Sequence, residues 1–206
     1  LVGSPDVGDE GFLYNSAFLL GREGQVRGRY DKRHLVPFGE YVPLRMVLFF
    51  LDKLVVGIGD FGRGQAATVF SLDEARFGVM ICYEVIFPAE VREFVRNGAQ
   101  FLINITNDAW FGRSGAPHQH LAMAALRAVE NGTYLVRAAN TGVTAVIAPS
   151  GEIVAQTDIF TEAILLGTIR LRQGETPYSR YGDVLAWMCM VFLVAYAAAL
   201  WRTHGK

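Results

Sequence analysis

The chain has 206 residues, enough for one sizeable hydrophobic core, so a single domain with an appendage is the expected organisation. Its formal net charge is -1, which argues against nucleic acid as a partner, because that role requires a concentrated basic face. Hydrophobic residues make up 51% of the chain and charged residues only 19%, less than the roughly 25% of an average soluble domain. The surplus of apolar residues must therefore be concentrated in particular segments.

The N-terminal part of the sequence predicts a β-hairpin. Residues 12–20 (FLYNSAFLL) and 25–30 (QVRGRY) have strand-like composition and are separated by GREG, which is typical of a turn. The residues before them include no starting Met and have neither the basic start nor the apolar run of a signal peptide. We therefore expect the chain to be a fragment of a longer protein.

A charged block follows the hairpin, at residues 29–43 (RYDKRHLVPFGEYVP). Lys32 falls where the strand gives way to a loop, and Glu40 follows eight residues later, so the two side chains can converge on one site. Alternatively, Lys32 is a solvated member of the charge cluster and Glu40 is a surface acid. His34 is an available base, but without a paired acid a structural or substrate-contact role is favoured for it.

Residues 46–56 (MVLFFLDKLVV) form an apolar stretch of eleven residues. Such a stretch reaches only about 16 Å as a helix, and Asp52 and Lys53 would each cost roughly 3 kcal/mol in the middle of a bilayer. It therefore cannot span a membrane. It is either a core helix or strand, or an arm that dips into the membrane and holds lipid. The arm is favoured because a membrane span is predicted further along the chain.

A strand, a helix and a second strand are predicted in succession at 77–82 (FGVMIC), 88–98 (PAEVREFVRNG) and 100–106 (QFLINIT). This βαβ-like unit places Cys82 at the carboxyl end of a strand, where open α/β sheets bind ligands. Tyr83 and Glu84 end the apolar run, which suggests that the sulfur faces a cleft. The alternative is a small core residue. As a nucleophile, Cys82 would need a base or a cation nearby, because free thiols are mostly protonated at neutral pH.

The second half of the domain continues this alternation. A glycine-rich polar loop at 107–119 leads into a helix at 120–132 (HLAMAALRAVENG), which Asn131 and Gly132 are expected to end. Further short strands are predicted at 133–139, 143–148, 152–157 and 163–170. Strands interspersed with helices indicate an α/β domain.

The chain ends with a strongly apolar helix. Val184 to Trp201 contain no charged residue, and as a helix they reach about 27 Å, close to the thickness of a bilayer core. The alternative, a buried core helix, is rarely apolar on every face. The basic tail from Arg202 onward favours a cytoplasmic C-terminus, with the body of the protein outside. Cys189 lies within this span, so a disulfide with Cys82 is not expected.

The motifs of the chain resemble those of a known group of enzymes. They resemble motifs of the nitrilase superfamily and, within it, of the bacterial inner-membrane apolipoprotein N-acyltransferases. The segments that carry the resemblance are YDKRHLVPFGEYVP, GVMICYEVIFP, NITNDAWFG, HLAMAALRAVENG and ANTGVTAVIAPSGEI. The resemblance implies that residues 1–180 are the C-terminal part of a nitrilase-like α-β-β-α sandwich, an α/β fold, with 46–56 as a membrane-facing arm. It also implies a transmembrane helix at 183–202 and a short tail at 203–206.

The same resemblance implies roles for individual residues. Cys82 matches the family's nucleophile, Lys32 its catalytic lysine, and Glu40 the glutamate that supports this lysine. The general-base glutamate of the family has no match, because the acids near the start of the chain are too close to Lys32. These acids are Asp6, Asp9 and Glu10.

Four further positions are implied to bind substrate or to support the site. Glu84 matches an acid that is important in the acyltransferase, and the backbone N–H of Tyr83 would stabilise an oxyanion. Trp110 and Phe111 would help to close the site against water, or would simply pack. Neither a metal nor a diffusible cofactor is implied.

The activity implied is transfer of a fatty acyl chain from a phospholipid, through a cysteine thioester, to the N-terminal amine of a diacylglyceryl-cysteine apolipoprotein. The partners would be the phospholipid donor, the apolipoprotein acceptor and the lipid bilayer of the bacterial inner membrane, with the catalytic domain on the periplasmic side. Two alternatives remain: a membrane-anchored nitrilase-like amidase that hydrolyses small amides, and a non-catalytic tethered binding domain.

Overall fold

The computed structural model of the protein describes residues 1–8, 11–41 and 61–204. The apolar stretch at 46–56, predicted to be a membrane-facing arm, lies outside the described residues. Two β-sheets, four α-helices and two short 3-10 helices account for the regular structure of these residues.

The first sheet has three antiparallel strands in the order β1-β2-β3. They are β1 (Val2–Val7), β2 (Leu13–Leu20) and β3 (Val26–Asp31). The predicted hairpin is confirmed as β2 and β3. The sequence did not predict β1, because Gly3 and Pro5 disfavour strand structure. Pro5 is tolerated because β1 is an edge strand. Its outer side pairs with no other strand among the described residues, so the absent N–H of a proline need not cost a hydrogen bond between strands.

The second sheet has six strands that follow one another in chain order. They are β4 (Val69–Leu72), β5 (Ala75–Ile81), β6 (Phe101–Asn107), β7 (Leu135–Asn140), β8 (Ala145–Ile147) and β9 (Ile153–Gln156). The central strands β5, β6 and β7 are parallel, and the remaining pairs are antiparallel. The predicted βαβ-like unit is therefore confirmed. The edge strand β4 was not predicted.

The strand predicted at 163–170 is wrong. These residues have no regular secondary structure, and Ile164 and Leu166 are 92% and 87% exposed. A strand is stabilised by cross-strand partners and by burial of one face, and strand-like composition alone supplies neither. Within the described residues, this segment pairs with no strand.

Four α-helices are present among the described residues: α1 (Pro88–Arg96), α2 (Ala116–Asn131), α3 (Pro177–Tyr181) and α4 (Val184–His204). The predicted helix at 88–98 is confirmed as α1. The helix predicted from residue 120 begins four residues earlier, at Ala116, because Pro117 is compatible with the first turn of a helix. Gly132, with φ of 59°, ends α2 in the left-handed conformation, as expected.

The helices α1 and α2 cover one face of the six-stranded sheet, and the three-stranded sheet covers the other. A Cβ atom added to Gly78 of β5 would lie 2.6 Å from Phe94 of α1, and one added to Gly28 of β3 would lie 2.8 Å from Phe70 of β4. The layers are therefore in close contact. They form an α-β-β arrangement, which supplies three of the four layers of the predicted sandwich.

The C-terminal helix α4 stands apart from this core. Val184 to Arg202 have a mean hydropathy of 2.2, and none of this stretch is buried. By length and composition, α4 is the one helix among the described residues that could cross a membrane. The alternative of a buried core helix is not supported, because none of this apolar stretch is buried.

Candidate active site

Cys82 lies where β5 ends, as the sequence predicted. It is the first residue of a short 3-10 helix, Cys82–Ile86, and its φ of 54° places it in the left-handed region. A residue with a side chain adopts this conformation at a cost of about 1–3 kcal/mol, so its surroundings must enforce it. The thiol is free and only partly buried. The turn thus presents the sulfur at the carboxyl end of the sheet.

Lys32 and Glu40 converge as expected. Lys32 directly follows β3, and its Nζ lies 2.8 Å from each carboxylate oxygen of Glu40. The lysine is only 1% exposed, so the alternative of a solvated charge cluster is wrong. Glu40 is also largely buried, and it accepts further hydrogen bonds from the Asn15 amide at 3.0 Å and the Val36 N–H at 2.8 Å. The pair therefore presents a cation that is held in one position.

Glu84 belongs to the same short helix as Cys82, and its side chain is buried. It is 1% exposed, and its two oxygens accept four hydrogen bonds. The donors are the backbone N–H groups of Ile81 at 2.7 Å, Arg33 at 2.6 Å and His34 at 3.1 Å, and the hydroxyl of Tyr30 at 2.8 Å. Burial raises the pKa of Glu84, and the four donors act against this rise.

These contacts join two segments that are distant in the chain. Glu84 belongs to the turn of Cys82, whereas Arg33 is the residue after Lys32. The carboxylate therefore brings the lysine segment and the cysteine turn to the same place, although Arg33 and Glu84 are 51 positions apart in the chain. Sequence reasoning included Glu84 among the site residues, but its contacts could not be read from the pattern.

His34 does have an acidic partner, contrary to the sequence interpretation. Its Nδ1 lies 2.9 Å from Glu90 of α1, and its ring stacks on Phe87 with a centroid separation of 3.6 Å. The sequence interpretation missed Glu90 because it lies 56 residues further along the chain.

Three aromatic residues of the predicted site lie on the two turns that follow β5 and β6. Tyr83 is 38% exposed and contacts Phe87 edge-on. Phe111 is also 38% exposed and packs edge-on against His120. Trp110 is 88% exposed, so the alternative of a packing role does not hold for it within the described part of the chain.

Sequence reasoning missed a buried polar cluster on the same edge of the sheet. Its members are Asn104, Thr106, Asp108, His120 and Arg137, all of them 9% exposed or less. The signal was present in the segment QFLINITND, where every second residue from position 104 is polar. Such alternation in an otherwise apolar strand indicates polar contacts on one face.

Opposite charges pair within this cluster. Arg137 Nη2 lies 2.6 Å from Asp108 Oδ2, and both side chains are 0% exposed. Burial acts to raise the pKa of Asp108, but the hydrogen bond with His120 and the charge of Arg137 outweigh it, so this pKa is lowered. Burial lowers the pKa of Arg137, and Asp108 counteracts this. The described residues contain no cluster of three or more His, Cys, Asp or Glu side chains that could hold a metal.

Comparison of the chain with models of known protein families identifies the class of protein to which this fold belongs. Residues 1–176 match the model of the carbon-nitrogen hydrolase family. The chain therefore belongs to this family.

Among solved structures, the chain is similar to a nitrilase superfamily member from Saccharomyces cerevisiae, with a TM-score of 0.58, 22% identity, and coverage of 78% of this chain and 55% of the other. It is also similar to an amidase from Nesterenkonia, with a TM-score of 0.57, 23% identity, and coverage of 76% and 56%. At these identities the likeness concerns the fold alone, and it confirms the predicted nitrilase-like fold.

Closer relatives are found in sequence. The chain is 51% identical over 205 residues to the apolipoprotein N-acyltransferase of Geobacter metallireducens, covering 98% of this chain and 39% of that protein. It is 45% identical over 186 residues to the apolipoprotein N-acyltransferase of Methylococcus capsulatus, covering 89% and 36%. The chain thus spans less than two fifths of the length of these two relatives.

Proposed function

We propose that the full-length protein is an N-acyltransferase of lipoprotein maturation. It would move a fatty acyl chain from a phospholipid, through a thioester on Cys82, to the N-terminal amine of a diacylglyceryl-cysteine apolipoprotein. The relatives named apolipoprotein N-acyltransferase support this proposal. The observation that carries it is the buried Lys32–Glu40 pair, which Glu84 connects to the turn of Cys82.

In the first step, the thiolate of Cys82 attacks the ester carbonyl of the phospholipid. A carbon–sulfur bond forms, the carbon–oxygen bond breaks, and the lysophospholipid leaves with a proton. The oxyanion of the tetrahedral intermediate requires fixed donors. Lys32 has three N–H donors, of which two bond to Glu40, and the third is suited to this role together with the backbone N–H of Tyr83.

In the second step, the amine of the apolipoprotein attacks the thioester, so that an amide forms and the Cys82 thiol is released. Both steps need a base for proton transfer. The family's general-base glutamate has no match in this chain, and Asp6 is engaged by Arg29 at 2.6 Å. We propose that the base comes from the part of the full-length protein that this chain does not include.

The membrane features are consistent with lipid substrates. We propose that α4 spans the bacterial inner membrane, with the catalytic domain on the periplasmic side and the C-terminus in the cytoplasm. The stretch 46–56 would receive acyl chains. Trp110 and Phe111 would limit the access of water to the thioester, since otherwise the enzyme would act as a lipase.

The test is to incubate the full-length protein with phospholipid vesicles and to search for an acyl adduct on Cys82 by mass spectrometry. We expect an adduct with the mass of one fatty acyl chain, and its loss when a diacylglyceryl-cysteine peptide is added. Cys82→Ala is the control and should form neither the adduct nor the amide. Full activity of Cys82→Ala would refute the proposed mechanism.

A small-amide hydrolase is the second candidate, because the Nesterenkonia amidase has a similar fold. Deletion of residues 46–56 separates the two functions. An acyltransferase should lose lipid transfer, whereas an amidase should keep its full rate on a small amide. Retained amide hydrolysis, together with failure of the undeleted protein to accept any phospholipid, would favour the amidase.

A further inference from the structure

The buried polar cluster lies directly beneath the turn that carries Cys82. Met80, Asn104 and Arg137 are direct neighbours on the adjacent parallel strands β5, β6 and β7. Asn104 and Arg137 are both fully buried. A polar amide and a charged guanidinium at the centre of a sheet are costly unless each is fully paired, so their partners indicate what they are for.

The two ends of the Asn104 amide have different partners. Its Nδ2 donates to the backbone carbonyls of Met80 and Cys82, both at 3.2 Å. Its Oδ1 accepts a hydrogen bond from Nη1 of Arg137. Because a guanidinium can only donate, Arg137 determines which way the amide faces. The oxygen must point toward Arg137, and the NH2 group must therefore point toward the carbonyl of Cys82.

Arg137 is itself held in a single orientation. Nη2 donates to Asp108 at 2.6 Å, and Nε donates to the carbonyl of Val143 at 3.2 Å. Asp108 in turn accepts a hydrogen bond from Thr106 at 3.0 Å and contacts His120 Nδ1 at 3.1 Å. The guanidinium of Arg137 is thus paired with an anion, and it cannot rotate without breaking several hydrogen bonds.

We propose that Asn104 and Arg137 are positioning residues for the Cys82 nucleophile. Asn104 binds the carbonyl of Cys82, and Arg137 acts through Asn104 by orienting its amide. The left-handed conformation of Cys82, with φ of 54°, is held in part by this hydrogen bond. Without Arg137 the amide can turn over, placing an oxygen against the carbonyl of Cys82 and releasing the turn. The inference rests on the proposed function, because it concerns the same nucleophile.

The test measures three quantities on the full-length protein in phospholipid: the single-turnover rate of Cys82 acylation, the KM for phospholipid, and the melting temperature. Asn104→Leu and Arg137→Met should each lower the acylation rate about a hundredfold, as displacement of a reacting group does. The KM should change little. The double variant should be no slower than the slower single variant, because Arg137 acts only through Asn104.

Two further variants separate positioning from general loss of stability. Asn104→Asp keeps an acceptor for Arg137 but turns an oxygen toward the carbonyl of Cys82, so it should melt earlier than the wild type and acylate as slowly as Asn104→Leu. Its melting temperature shows whether it is folded at the assay temperature, even if Arg137→Met fails to fold. Arg92→Met is the matched control. Arg92 also donates to several backbone carbonyls, namely those of Tyr178, Ser179 and Arg180, none of which belongs to the Cys82 turn. This control should melt earlier but acylate at the wild-type rate.

The outcomes distinguish this inference from the proposed function. Acylation of Asn104→Asp at the wild-type rate, or independent losses that multiply in the double variant, would overturn the positioning role while leaving the acyltransferase proposal intact. If the wild type forms no thioester, the proposed function fails. The alkylation rate of Cys82 by iodoacetamide then replaces acylation, and equal rates in wild type and Asn104→Asp would overturn the inference.

Discussion

Two buried carboxylates are connected to the turn of Cys82, and they are stabilised in different ways. Glu84 is surrounded by neutral donors, three of them backbone N–H groups, and burial raises its pKa. Asp108 is equally inaccessible, but it faces the guanidinium of Arg137 and the ring of His120, and its pKa is lowered. Neutral donors thus fix a geometry without supplying charge, whereas a buried cation also keeps its carboxylate ionised.

The largest effect is expected when the charged pair is broken. Asp108→Asn leaves the guanidinium of Arg137 buried without an anion, so the free energy of unfolding should fall by about 3–5 kcal/mol. Chemical denaturation of the full-length protein in detergent measures this loss. Asp6→Asn is the control, because the Asp6–Arg29 pair is partly exposed and should contribute about 1 kcal/mol or less. Equal losses for the two variants would show that burial of the pair is unimportant.

A smaller loss of stability is expected at the other carboxylate. Glu84→Gln places an NH2 group against at least one backbone N–H, so that buried donors are left unpaired at a cost of about 1–3 kcal/mol. Acylation of Cys82 should fall about a hundredfold, because the lysine segment and the cysteine turn are no longer held together. The measurements are denaturation and single-turnover acylation. A variant with wild-type acylation would show that this connection has no role in the site.

The two acids should also give opposite pH dependences of stability. The pKa of Asp108 is lowered, so its contribution is present above the unfolded value of about 3.9 and is lost as the pH falls through the folded value. The pKa of Glu84 is raised, so its contribution is present below about 4.3 and is lost as the pH rises through the folded value. The measurement is the difference in melting temperature between the wild type and each variant. As the pH falls, this difference should become smaller for Asp108→Asn and larger for Glu84→Gln. If both differences in melting temperature changed in the same direction with pH, the two carboxylates would not be stabilised in different ways.

The smallest effect on stability is expected at the exposed rim. Trp110 is 88% exposed, so Trp110→Ala should change the free energy of unfolding by less than about 0.5 kcal/mol. If Trp110 limits the access of water, the variant should lose more of its thioester to hydrolysis. The ratio of released fatty acid to amide product measures this partition. An unchanged ratio would leave Trp110 without a role in closing the site.

Much of the fold follows from local pattern. The hairpin and the β5-α1-β6 unit were predicted from strand-like and helix-like runs separated by turn residues, and the helix α4 from an apolar run long enough to span a bilayer. The position of Cys82 at a strand end follows in the same way. By contrast, β1 is strand only because it pairs with β2, and residues 163–170 are not strand because no described segment pairs with them.

The sequence by itself also selected the principal candidates for the chemistry, namely Cys82, Lys32 and Glu40. Residue type and short spacing made them possible site residues, and the resemblance of their motifs to the nitrilase superfamily implied their roles. Only the tertiary structure decided how they are supported. The contacts of Glu84 with Arg33, and of Arg137 with Asp108, join residues 51 and 29 positions apart. Such contacts leave little local trace, because they depend on which strands become neighbours and not on any period along the chain.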